Sequence, residues 1–321
     1  MQTIFYHQGG VTRAAAAIDP EWLDPENGVA FWVDLSDPSV EDARLLSDLF
    51  AFHELAVEDA LAAVHHPKVE EYRGFLFVIL HGIDFEASKH RFATHDVDFF
   101  LGPNFLVTVH DGTSRSIERL RAICPRNALL LAEGPAALMH RIVDTMVDNY
   151  RPEVDKLEAR IEALERDVFE RPRRTLAPAI LAVKRDVAAL RRIIGPQRDV
   201  VGRLARREFE LIGEQAAYRF RDVYDHLVRI ADEALSFHDR ISSLLEAHLS
   251  FTSNRLNEVM KVLTVMSTIF LPLTVLTSLY GMNVALPHLP GGERAQFWWI
   301  LLMMAAIAGF MLYLFRRWRW L

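Results

Sequence analysis

Asn257, Met260, Thr264, Ser267, Leu271, Thr274 and Ser278 stand three or four residues apart. That spacing keeps side chains on one stripe of a helix. The stripe carries amide and hydroxyl oxygens, with apolar Met260 and Leu271 between them. Oxygens along one face of an apolar helix can line a wet path for a cation. Apolar positions on the same face can close such a path by excluding water. The same small hydroxyl residues also let helices pack closely, and their hydroxyls can bond the helix's own backbone. Taken alone, the stripe favours packing over a pore.

Other chemistries find little support. Formal net charge is −7, so no basic field favours nucleic acid. There is no Walker-type Gly-Lys-Ser/Thr loop to hold a nucleotide. His65-His66 and the scattered histidines lack tight zinc-ligand spacing. No catalytic triad or acid–base pair stands out, so the chain does not read as an enzyme. Cys124 is the single cysteine; no intrachain disulfide can form, which suits a reducing compartment.

The elements that carry the stripe follow from the distribution of charge. From Val262 to Gly292 there is no Asp, Glu, Lys or Arg, and from Phe297 to Phe315 there is again none. A membrane helix needs ~20 predominantly apolar residues. The two runs therefore predict spans over about 262–282 and 297–315. The connection from Asn283 to Gln296 is short and rich in Pro and Gly, so the spans form a hairpin and both chain ends share one side. Arg316, Arg317 and Arg319 flank the second span, with Trp318 and Trp320 among them. Arginines next to a span predict the cytoplasmic side, and tryptophans suit the headgroup zone. The first 30 residues hold Arg13 and the run Ala14–Ala17, too short for a secretory signal core. Both termini are thus expected in the cytoplasm, with the chain in the inner (plasma) membrane.

Upstream, residues 1–145 read as a mixed α/β cytoplasmic domain. Val29–Leu35, Phe75–Ile83, Val97–Leu101 and Phe105–His110 are strand candidates, the last two joined by a turn at Gly102-Pro103-Asn104. Glu41–Phe50, Ser114–Ile123 and Ala136–Tyr150 read as helices, the first starting at Ser36-Asp37-Pro38-Ser39 with proline in its first turn. Residues 146–258 read as a helical hairpin and stalk, and 259–321 as the membrane domain. Val154, Leu157, Ile161, Leu164 and Val168 repeat at helical spacing. Pro172 and Pro178 break that pattern, and a helix over Ile180–Ile194 follows, its continuation past Gly195-Pro196 left open. One long helix is predicted from about Tyr218 to about Tyr280.

Glu258-Val259-Met260-Lys261-Val262-Leu263-Thr264 and Tyr280-Gly281-Met282-Asn283 resemble the CorA family of divalent-cation channels. Gly-Met-Asn at the outer end of the first of two carboxy-terminal spans is that family's signature. The resemblance extends to Arg221-Asp222-Val223-Tyr224-Asp225-His226, to Val57-Glu58-Asp59-Ala60-Leu61 and to Pro67-Lys68-Val69-Glu70. It implies a funnel-shaped homopentamer in membrane lipid, with the long helices around a central pore. Gly281, Met282 and Asn283 then form the selectivity filter, and the stripe lines the pore. It further implies a regulatory Mg²⁺ shared by Asp59 and Asp222 of neighbouring subunits, and a second metal site with Glu58 and His226. The expected function is uptake of Mg²⁺, with Co²⁺ or Ni²⁺ as further cargo, down the electrochemical gradient and closed by cytoplasmic Mg²⁺. Leu289-Pro290-Gly291-Gly292 and the scarcity of acidic residues after Asn283 look more like the zinc-transporting ZntB branch. A Zn²⁺ transporter, proton-coupled or not, is therefore the alternative. A non-conducting metal sensor or scaffold is a third reading.

Overall fold

A computed structural model describes residues 1–62, 66–83, 94–112, 114–170, 175–283, 293–318 and 320. The chain divides into two compact units, Met1–Leu245 and Glu246–Leu321.

The first unit is built on a seven-stranded sheet. Its strands are β1 (Gln2–Gln8), β2 (Val11–Ala15), β3 (Ala30–Ser36), β4 (Lys68–Tyr72), β5 (Phe75–Ile83), β6 (Thr94–Leu101) and β7 (Phe105–His110). Their order is β2-β1-β3-β7-β6-β5-β4. Only β3 and β7 run parallel, with Phe31 opposite Phe105 and Ser36 opposite His110; the other pairs are antiparallel. Every residue of β5 and of β7 is buried, as expected for central strands covered on both faces.

One face of the sheet packs Phe31, Val33, Leu35, Val107 and Val109 against Leu46, Ala56, Val57 and Ala60. These last belong to a π-helical turn (Leu45–Leu49) after α1 (Val40–Arg44), and to α2 (Glu54–Leu61). The opposite face is polar at its centre. Trp32 Nε1 donates to Thr108 Oγ1 at 3.0 Å, and that hydroxyl donates to Asp34 Oδ1 at 2.7 Å. All three residues are fully buried. Arg121 of α3 (Arg115–Ile123) lies 3.5 Å from Asp34 Oδ2, so α3 covers this face. Short α4 (Leu129–Ala132) and then α5 (Pro135–Asp148) follow.

The helical layer comprises α6 (Arg151–Glu170), α7 (Leu176–Ala205) and α8 (Glu214–Tyr280). Buried Val154, Leu157, Ile161, Leu164 and Val168 form the packed stripe of α6. Arg240 of α8 makes a two-pronged bond to Glu165 of α6, at 3.0 and 2.9 Å. Arg151 reaches both oxygens of Glu233 from the single nitrogen Nη1, at 2.8 and 3.0 Å. A forked pair such as that of Arg240 fixes geometry as well as adding energy.

Several sequence expectations shift. Ser39 is the N-cap of α1 through a reciprocal box with Asp42, so Pro38 precedes the helix instead of occupying its first turn. The helix read over Glu41–Phe50 divides into α1 and the π-helical turn. Helix α7 runs through Gly195-Pro196. Gln197, one residue on, accepts the His81 backbone N–H at 2.9 Å. His81 lies beyond the reach of β4, and the helix supplies the missing partner. Helix α8 begins four residues before Tyr218 and ends at Tyr280 as expected. The break read at Pro172 lies outside the described residues.

In the second unit α8 continues to Tyr280, and α9 spans Glu293–Arg317. Both contain windows apolar enough to cross a membrane, with 6% and 0% of those windows buried.

Thr108→Val keeps the shape of the buried face but strips Trp32 Nε1 of its partner and leaves Asp34 Oδ1 with only His110 Nε2, at 3.2 Å. One orphaned buried donor costs about 1–3 kcal/mol. A urea titration should therefore show a lower midpoint for unfolding of the α/β unit.

Candidate functional site

Within the second unit, Asn257, Met260, Thr264, Ser267, Leu271, Thr274 and Ser278 are all exposed along α8. The less exposed positions of the same segment, Lys261, Val265, Thr268, Ile269, Pro272, Leu273 and Leu276, lie on another stripe. In α9 the less exposed positions include Ile300, Met303, Met304, Ile307, Ala308, Met311, Leu314 and the buried Phe315, also at helical spacing. The oxygen-bearing stripe is thus separate from the positions that packing shields. Leu271 is 70% exposed and Met260 52%.

The hydroxyls have a defined polarity. Thr264 Oγ1 donates to Met260 O at 2.8 Å, and Thr274 Oγ1 donates to Phe270 O at 2.9 Å. Each spends its one proton on its own helix. What remains on the outer side of these oxygens is acceptor capacity. The waters around a cation point their hydrogens outward, so an acceptor-only surface suits a hydrated ion.

The end of α8 places the Gly-Met-Asn triplet. Gly281 N–H donates to Thr277 O at 2.9 Å and closes the last turn. A Cβ on Gly281 would lie 2.9 Å from that same carbonyl. Gly281 is absent from the positive-φ residues, so close approach, not a left-handed turn, requires glycine here. Asn283 follows, exposed. Val284–Gly292, including the Leu289–Gly292 stretch that looked zinc-like, lies outside the described residues, as does His65.

The predicted regulatory residues belong to the first unit. Asp59 lies on α2 and is partly shielded; its carboxylate is bonded by Lys68 Nζ of β4, which also donates to Glu70 at 3.0 Å. Glu58 is exposed. Asp222 on α8 is 74% exposed, and His226 Nε2 stands 3.9 Å from its Oδ2. Among the described residues of one chain, no three His, Cys, Asp or Glu gather closely enough to hold a metal ion directly. Sequence reasoning missed Lys68 as the partner of Asp59. It also missed Asp144 on α5. Burial pushes the Asp144 carboxyl up, the charges of Asp148 and Asp222 add to this, and His226 opposes it. The i,i+4 pair Asp144 and Asp148 was the available signal.

The description "CorA-like Mg2+ transporter protein" belongs to the family model that matches residues 27–317. The cobalt/magnesium transport protein CorA of Thermotoga maritima is 32% identical over 295 residues, which cover 90% of this chain and 83% of that protein. The solved CorA magnesium transporter of Methanocaldococcus jannaschii matches with a TM-score of 0.81 at 22% identity, over 100% of this chain and 99% of the other. The ZntB cytoplasmic domain of Vibrio parahaemolyticus matches with a TM-score of 0.62 at 16% identity, over 78% of this chain and 98% of the other. At these identities the two solved structures establish the fold alone.

His140 stands beside this acidic group and gives it a pH signature. Burial first, then the charge of Arg219, lowers its pKa from 6.5 to about 4. Its ring meets Phe220 edge-on, with centroids 5.4 Å apart. The unfolded chain binds this proton first, so stability is lost as pH falls from 6.5 toward 4. His140→Phe should flatten that limb of a melting-temperature-against-pH curve while leaving the region above pH ~7 little changed.

Proposed function

The chain belongs to the CorA-like Mg²⁺ transporter family, and we propose that it admits Mg²⁺ through a pore lined by the exposed stripe of α8. The family carries divalent cations across membranes, and the two apolar helices of the second unit provide the spans. The observation that supports the finer reading is the exposed row of oxygens on an otherwise apolar helix that ends in Gly281-Met282-Asn283.

In this reading several copies, five by family resemblance, place α8 around a common axis. Asn283 from each copy makes a ring of amide oxygens at the outer mouth. Mg²⁺ gives up its waters reluctantly, and amides bind those waters without stripping them. Ser278, Thr274, Ser267, Thr264 and Asn257 continue the row inward as acceptors. Leu271 and Met260 form apolar rings that close the path when it dewets. A negative interior drives a divalent ion inward by about 4.6 kcal/mol per 100 mV, twice the single-charge value. Arg316 and Arg317, exposed at the end of α9, hold that end at the cytoplasmic, anionic face of the inner membrane.

Closure by cytoplasmic Mg²⁺ rests on Asp59 and Asp222 of neighbouring copies, with Glu58 and His226 beside them. The ion pair of Asp59 with Lys68 adds a condition. Mg²⁺ must displace an ammonium that already neutralises the carboxylate. The affinity of such a site is lowered by that competition, so it responds only when internal Mg²⁺ is plentiful. Binding to the closed state better than the open one then shifts the population shut.

Zinc uptake is the second reading, supported by the Leu289-Pro290-Gly291-Gly292 stretch and the scarcity of acidic residues after Asn283. Proteoliposomes with a negative interior separate the two. Mg²⁺ influx that Asn283→Ala reduces about tenfold or more (1.4 kcal/mol or more,) supports the Mg²⁺ pore. Zn²⁺ flux that follows an imposed proton gradient, with little Mg²⁺ flux, moves the chain to zinc. No flux of either ion leaves a sensor or scaffold. In the same vesicles Asp222→Ala should raise the internal Mg²⁺ needed for half closure. Closure at wild-type Mg²⁺ would remove Asp222 from the regulatory site.

A further inference from the structure

At the carboxyl ends of β3 and β7, neighbouring parallel strands send the chain to opposite faces of the sheet. After β3 it passes to α1 and α2, which pack on the face of Phe31, Val33 and Leu35. After β7 it passes to α3, whose Arg121 reaches Asp34 on the other face. Such a switch point opens a crevice beyond the strand ends, where open α/β sheets bind their ligands. A cavity of about 310 Å³ lies at this end of the sheet.

Its wall is acidic. Asp37 follows β3, Asp111 follows β7, and Asp96 and Asp98 come from β6. A cluster of surface acids would mean little, but Asp98 is not on the surface. The residue is 5% exposed, and its Oδ1 has no hydrogen-bond partner. The imidazoles of His95 and His110 also line the cavity. His81 Nδ1 is 2.5 Å from Asp96 Oδ1, Lys68 bonds Asp59 and Glu70, and His110 Nε2 faces Asp34 at 3.2 Å. A buried carboxylate facing other carboxylates, with no donor of its own, is costly unless a proton or a cation joins it.

We propose that this cavity binds a hydrated divalent cation, Mg²⁺ in the first place, held by Asp98, Asp96, Asp37 and Asp111 largely through the ion's own waters. Direct chelation does not fit, because among the described residues no three acidic or imidazole groups converge closely enough. Outer-sphere binding needs wider spacing, and Mg²⁺ keeps its waters readily. Six waters at about 30 Å³ each occupy on the order of 180 Å³, which the cavity accommodates. The site uses neither Asp59 nor Asp222, although Ala60–Ala62 form part of its wall, and it does not depend on the pore reading.

The test uses Fe²⁺ in place of Mg²⁺ on the full chain in detergent, with ascorbate and hydrogen peroxide. Hydroxyl radicals formed at a bound iron cut the backbone nearby. Cleavage within residues 94–112 that Mg²⁺ competes away is expected. It should persist in the Asp59→Ala/Asp222→Ala double variant and fall about tenfold or more (at least 1.4 kcal/mol of binding,) in Asp98→Asn. Asp98→Asn keeps the side chain's shape while removing its capacity for negative charge, and should melt no lower than the wild type without Mg²⁺. Should it fail to fold, Asp111→Asn, at an exposed position, gives the same readout. Absence of cleavage there, cleavage indifferent to Mg²⁺, or wild-type cleavage in the folded variant overturns the proposal.

Discussion

Two helices whose apolar surface is almost wholly uncovered set the terms for everything else in this chain. In water such surface is driven out of contact with solvent. In lipid it is at ease, provided every backbone polar group is satisfied within the helix. That constraint explains why the span portions of α8 and α9 carry no acidic or basic side chains between Val262 and Tyr280 or between Phe297 and Phe315. It also gives the row of hydroxyls its meaning. An apolar solvent offers such oxygens nothing to bond, so they must turn to their own helix, to a neighbour, or to water. Thr264 and Thr274 do the first with their protons, which leaves their lone pairs to accept.

The sequence made some elements legible and hid others for identifiable reasons. β5 and β7 are continuous apolar runs bounded by turn residues, and their limits coincide with the structure. β1, β2 and β4 went unread because polar residues interrupt them, and β2 and β4 are edge strands with one face open. α2 is only eight residues long, below the length at which periodicity speaks clearly. Pro196 argued for a break in α7. Proline removes one hydrogen bond, but the packing of α7 on the sheet and the Gln197 contact with β5 hold the helix together.

The candidate sites show the same division. The stripe on α8 could be read from spacing, because a helix converts sequence separation directly into position. Lys68 could not be assigned to Asp59 that way. The pair joins a helix to a strand, and only the pairing of β4 with β5 brings them together. The acidic cavity beyond β3 and β7 was equally hidden, since its walls come from four separate stretches of chain. Charge competition links these observations. A metal ion near Asp59 meets an ammonium bonded to that carboxylate, whereas the charge of Lys68 reaches Asp98 only through space.

The central claim is that the oxygen-bearing stripe of α8 faces water inside the membrane. Cys124 is the only cysteine, fully buried, with a thiol that burial pushes up to about 12, so it gives a quiet background for thiol labelling. Single cysteines at Ser267, Leu271, Thr274 and Ser278 should react with a charged, membrane-impermeant thiosulfonate, and the reaction should block cation flux. Cysteines at Ile269, Leu273 and Leu276 should stay unreactive. Reaction confined to the second group, or spread evenly around the helix, would contradict the account.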